Sequence, residues 1–142
     1  MEENEKSLLW NSSFSVGVQE IDEQHKKLVE ILNELVYLVG KELKDEKQNI
    51  DVTVKKIIEY KTIHFATEEK YFKQFDFDGA EEHIQKHREF SQKTGELLAD
   101  FGSTGEKIHL VELLDFMEIW FVDHMLNMDS KYKECFKQHG LK

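Results

Sequence analysis

The residues with the chemistry of a binding site concentrate between positions 64 and 87. His64 and Glu68 are spaced i,i+4 there, and His83 and His87 repeat the interval. On a helix this spacing stacks two side chains on one face, one turn apart, so each pair can address a common object. Neutral imidazole is the commonest side-chain metal ligand, and a carboxylate beside imidazoles suits a divalent transition ion. His25 upstream, and His124 with Asp129 downstream, are the further candidates. A metal site built from all of them draws on most of the chain.

The elements that must position these residues are helical. Proline is absent and 34% of residues are charged, which points to an all-α chain. A single domain, residues 1–142, is expected to hold helices over about 18–43, 51–75, 80–101 and 106–137. An extended N-terminal arm, residues 1–17, precedes them and lays Trp10, Phe14 and Val16 across the bundle. His25 sits one turn before Leu28 on the first apolar stripe, which continues through Leu32, Leu35 and Leu38. A lone histidine in such a place is ordinarily a hydrogen-bonded core residue. The second stripe runs Ile57, Tyr60, His64, Glu68 and Phe72, so Glu68 falls where apolar residues belong. A buried unpaired carboxylate costs several kcal/mol, which argues that Glu68 faces a cation.

His83 and His87 head the third stripe, above Phe90, Thr94 and Leu97, and Gly102 is placed to stop that helix. Residues 103–106, Ser-Thr-Gly-Glu, offer a capping box for the fourth helix, whose inner face runs Leu110, Leu113, Met117, Trp120 and His124. Asp129 lies five positions past His124, about 140° off that line on a regular helix. If both are ligands, a one-residue bulge must separate them, of the kind found at functional sites. Phe75 and Phe77, beside a turn at residues 76–79, are expected to cap the bundle. His109 and His139 lie off the inner stripes, and Cys135 has no neighbours that would activate it.

Composition excludes several classes. A net charge of −10 argues against nucleic acid and anionic membrane surfaces as partners. No window approaches the roughly 18 apolar residues of a membrane span. A single cysteine and a start without signal-peptide character point to the cytoplasm.

Five histidines and two carboxylates on four helical faces are far more specific than any one pair. They also fit two octahedral ions: five imidazoles, two bridging carboxylates and a shared oxo or hydroxo bridge leave one coordination position open, where a redox metal pair can take a small molecule. Trp10, the run from Phe14 through Gly17 and Val18 to Ile21, Asp22, Glu23, Gln24 and His25, then His64-x3-Glu68, His83-x3-His87 and His124-x4-Asp129, resemble the bacterial hemerythrins from Trp10 to about Tyr132. The resemblance implies an up-down-up-down four-helix bundle with a non-haem centre of two bridged iron ions that binds O2 reversibly; myohemerythrin is a stock example of that bundle. It further implies that His83, His87 and His124 hold one iron, His25 and His64 the other, with Glu68 and Asp129 bridging. Leu28, Phe65, Trp120 and Met125 match the family's O2 pocket. Phe121 departs from the usual leucine there, which bears on affinity and autoxidation.

Di-iron oxidases of the ferritin-like type use Glu-x-x-His pairs and a carboxylate-rich shell. The one such motif here, Glu106 to His109, lies at a helix start, and imidazoles dominate the candidate set. O2 binding for storage, delivery or sensing is therefore the leading expectation, and no enzymatic role is assigned. The 142 residues carry no output domain, so sensing or delivery calls for a separate protein partner. The alternatives are a di-iron enzyme on the same scaffold acting on peroxide or nitric oxide, and a helical interaction bundle whose histidines are structural or hold zinc.

Overall fold

The computed structural model describes Trp10 and residues 12–142, and among them there is no strand. Residues 1–9 and Asn11 of the expected arm lie outside the described residues. The remainder of the arm is not extended throughout: Ser12–Phe14 form one 3-10 turn. Phe14, Val16 and Val18 are buried. Gly17, at φ 78°, then turns the chain into the first helix. Asp22 locks that entry, its carboxylate accepting from the Ser15 hydroxyl at 2.6 Å and the Val16 N–H at 2.9 Å. With Glu20 it also places negative charge at the positive end of the helix dipole.

Helix α1 (Gln19–Val39) buries Ile21, His25, Leu28, Leu32, Leu35 and Leu38, one stripe at helical period. It ends earlier than the expected residue 43, at a backbone cap on Gly40, and Leu43–Asp45 form a separate 3-10 turn. Helix α2 (Lys47–Phe75) starts earlier than residue 51, because Ile50 and Thr53 extend its buried stripe toward the N-terminus. It stops at Asp76, which adopts the left-handed conformation at φ 50° while the Phe77 N–H returns to the Phe72 carbonyl at 3.0 Å. Helix α3 (Ala80–Thr104) runs past Gly102 and ends at Gly105, φ 69°, so Gly105 rather than Gly102 is the stop. The expected capping box does not form. Glu106 makes no side-chain cap, and its N–H is taken by the Thr104 hydroxyl at 3.1 Å.

The fourth rod is a composite of α4 (Lys107–Asp123), a π-helical segment (His124–Asp129) and α5 (Ser130–Gln138). The extra residue expected between His124 and Asp129 is accommodated by this wider turn. Helix α1 packs on α2 and α4, and α3 on α2 and α4, so the four rods close an all-α bundle around one interior. Phe75 and Phe77 do close one end, packing with Phe72, Tyr132 and Phe136. No helix among the described residues is long and apolar enough to cross a membrane.

Two apolar clusters fill the interior, one around Leu28, Leu32, Ile57, Phe90 and Leu113, the other around Ile21, Phe72, Tyr132 and Phe136. They meet at histidines: Phe72 and Tyr132 of the second flank His83, while Phe65 of the first stacks on His87. A polar cluster is thereby held at the middle of a dry bundle.

Candidate metal centre

All seven candidate ligands are buried, none more than 2% exposed. They form two groups whose ligand atoms lie within 4.8 Å of one another: His83, His87, His124 and Glu68 in one, and His25, His64, Glu68 and Asp129 in the other. The carboxylates divide their oxygens between the groups. Glu68 sets Oε1 at 2.9 Å from His87 Nε2 and 3.4 Å from His83 Nε2, and Oε2 at 3.4 Å from His64 Nε2. Asp129 sets Oδ1 at 2.9 Å from both His83 and His124 Nε2, and Oδ2 at 3.0 Å from His25 Nε2. The π turn is what brings Asp129 round to this position.

These approaches are close, yet Nε2 of His25, His64, His83 and His124 and both Asp129 oxygens lack hydrogen bonds of acceptable direction. Buried polar atoms are rarely left so. Crowding without in-line geometry is the signature of atoms aimed at a shared point: an octahedron with bonds of about 2.1 Å has edges of about 3.0 Å. The donor set, imidazole and carboxylate without thiolate, suits a first-row transition ion. The cluster can therefore hold a pair of ions with two carboxylates between them.

The outer hydrogen bonds orient the rings. His64 Nδ1–H donates to Gln24 Oε1 at 2.7 Å, and Gln24 Nε2 donates to the Thr67 hydroxyl at 3.0 Å, which donates in turn to the Ile63 carbonyl at 2.8 Å. His87 Nδ1–H donates to Glu69 at 2.8 Å, and the Tyr132 hydroxyl donates to Glu68 Oε2 at 2.5 Å. Such partners fix which ring nitrogen faces a metal and raise its basicity. Sequence reasoning missed Gln24, Glu69 and Tyr132 as parts of the site. Tyr132 had a usable signal, since it follows Asp129 by three positions on the same helical face.

Of the expected pocket residues, Leu28, Phe121, Met125 and Phe65 are buried and Trp120 is half-buried, all in or against the larger apolar cluster. Phe65 lies on His87 with ring centroids 3.9 Å apart, Trp120 on His124 at 4.0 Å, and Phe121 meets Phe14 at 5.0 Å. His109 sits between Glu106 and Glu112, away from the cluster, and His139 stacks on Phe75 near the C-terminus.

The electrostatics of the metal-free cluster follow from burial opposed by neighbours. Burial alone would raise the Glu68 pKa, but His64, His83 and His87 hold it well below the ordinary carboxylate range. Asp129 is likewise lowered, against burial and the Glu68 charge, by His124 and His25. Burial disfavours charge on His25 and His83, and the carboxylates overturn it, Asp129 first, raising His25 and lifting His83 to about 9. Burial wins at His64, which is lowered.

Two carboxylates held low thus face two imidazoles held high, His25 and His83. The His83 contribution to stability is fully present below its unfolded value of 6.5 and lost as pH rises through about 9. The carboxylate contributions run the other way and are lost only as acid reaches their lowered values. The urea midpoint of the metal-free chain is therefore expected to fall between pH 6.5 and 9. Metal affinity should rise over the same interval, because the cation must displace those protons. A midpoint that stays flat or rises would show that His83 is not paired as described.

Against known proteins, residues 16–136 match the family model for the hemerythrin HHE cation binding domain. The chain is 30% identical over 124 residues to a hemerythrin-like protein of Naegleria gruberi, covering 87% of this chain and 89% of that protein. A bacteriohemerythrin of Clostridium acetobutylicum is 29% identical over 126 residues, 87% of this chain and 97% of its own length. A bacteriohemerythrin of Pseudomonas aeruginosa is 27% identical over 130 residues, 92% of this chain and 82% of its own.

Proposed function

The chain belongs to the hemerythrin family, and from that premise we propose that its buried cluster holds two iron ions and binds O2 reversibly. His83, His87 and His124 would hold one iron and His25 and His64 the other, with Glu68 and Asp129 shared by both. The observation that carries this reading is the division of each carboxylate's two oxygens between the two histidine groups. Hemerythrins are oxygen-binding proteins rather than enzymes, which favours binding without turnover.

A ferrous pair held there would supply the two electrons that reversible O2 binding requires. The protein's part is to hold and to exclude. Gln24 and Glu69 keep the imidazoles of His64 and His87 turned inward. With three histidines for one ion and two for the other, His25 and His64 would hold the ion with room for a small ligand. Leu28, Phe65, Phe121 and Met125 keep water out, slowing proton delivery to the bound ligand and so its irreversible loss. Storage or delivery of O2 in the cytoplasm is the use we infer. The lone, half-buried Cys135 and the lack of a membrane-crossing helix among the described residues support it.

The test is anaerobic loading with ferrous iron, admission of O2 with the visible spectrum recorded, then removal of O2. Two irons per chain and a charge-transfer band that comes and goes are expected. A chain that takes up no iron, or a band that decays to a ferric form within seconds, overturns carriage.

A further inference from the structure

Among the described residues, every buried side-chain atom left without a hydrogen bond belongs to a candidate ligand except one, the hydroxyl of Tyr60. Tyr60 lies one turn before His64 on α2, is 6% exposed, and stacks on the His64 ring with centroids 5.1 Å apart and planes 16° apart. Buried tyrosines nearly always find a partner for the O–H, and an orphaned one costs about 1–3 kcal/mol. Its ring also meets that of Phe65, with centroids 6.5 Å apart and planes 67° apart, and belongs to the same apolar cluster as Leu28, Phe121 and Met125. A phenol is ordinarily protonated at neutral pH, and hence a donor. The same residue helps wall a cleft of about 260 Å³ between α1 and α2, with Gln24, Ile31 and Ile63.

We propose that the Tyr60 hydroxyl is the hydrogen-bond donor to the small electron-rich ligand, O2 or an anion, bound on the His25 and His64 side of the centre. The proposal rests on the di-iron reading above and deepens it. In an otherwise apolar pocket, one fixed O–H beside the bound ligand selects ligands that carry negative charge when bound, and slows their departure. His64 and Tyr60 share one face of one helix, so the donor is held in register with His64 by the backbone rather than by a loop.

Azide serves as the probe, titrated into the oxidised iron-loaded chain and followed by its visible band and its infrared stretch. Tyr60→Phe keeps the ring and removes only the hydroxyl. Because that hydroxyl is unpartnered, the metal-free variant should be at least as stable as the parent. Its azide Kd is expected to rise roughly tenfold or more, chiefly through faster dissociation, as for the loss of a hydrogen bond to a charged group. In the parent, exchange into D2O should shift the azide stretch, and in the variant it should not. Equal Kd and dissociation rate in the two proteins, or a D2O shift that survives the substitution, overturns the role of Tyr60 while leaving the di-iron reading intact. A parent chain that binds two irons but no azide also removes it. A parent that fails to take up two irons removes the premise and the proposal together.

Discussion

Glu68→Ala is expected to empty both halves of the centre at once, taking bound iron from two per chain to less than one. Glu68 belongs to both groups of converging atoms, and Asp129 is the one other candidate whose oxygens reach histidines of both. Loss of Glu68 strips a carboxylate oxygen from each side and the partner of the Tyr132 hydroxyl. The fold should suffer as well. The metal-free cluster balances raised imidazoles against two carboxylates, and removing one carboxylate leaves positive charge buried without a partner. Breaking a buried pair in this way costs about 3–5 kcal/mol. Glu68→Gln separates the two effects. It keeps the volume and an acceptor for Tyr132, so the fold should survive better, but a neutral amide cannot neutralise two cations, and iron should still be lost. Iron content by elemental analysis and urea midpoints of the three metal-free proteins provide the check. Retention of two irons by either variant would show that Glu68 does not join the two sites.

Stripping iron from the reduced protein with a chelator should lower Tm by about 10 °C. A ligand that binds only the folded state stabilises it by about 4 kcal/mol at a thousandfold excess over Kd. In a domain of this size each kcal/mol is worth about 3 °C. The physical source is the set of buried atoms without properly directed hydrogen bonds, Nε2 of His25, His64, His83 and His124 and both Asp129 oxygens. With cations between them these atoms are satisfied; without, they are the costliest part of the interior. Calorimetry of matched iron-loaded and metal-free samples measures the difference. Identical Tm values would mean that the cluster is a self-sufficient polar network and that metal is incidental to it.

Much of this was legible in the chain. The stripes of α1 to α3 placed His25, His64, Glu68, His83 and His87 among core residues, because a helix repeats every 3.6 residues whatever it packs against. Even the π turn was foreseeable: His124 and Asp129 at i,i+5 could not share a face of a regular helix. Helix ends were less so. The stop fell at Gly105 rather than Gly102, and α2 reached back to Lys47, because termini are set by backbone caps and by what the last turn buries. Within the site, periodicity says which face a residue occupies but not what stands opposite. Gln24 meets His64 across 40 positions, Glu69 meets His87 across 18, and Tyr132 meets Glu68 across 64. Those meetings depend on how far each helix is rotated about its axis and slid along its neighbour, a property of the packed bundle as a whole. The same packing leaves the Tyr60 hydroxyl without a partner. The candidate set was therefore written in the chain as local spacing, while the residues that orient it were decided only when four apolar stripes closed on one another.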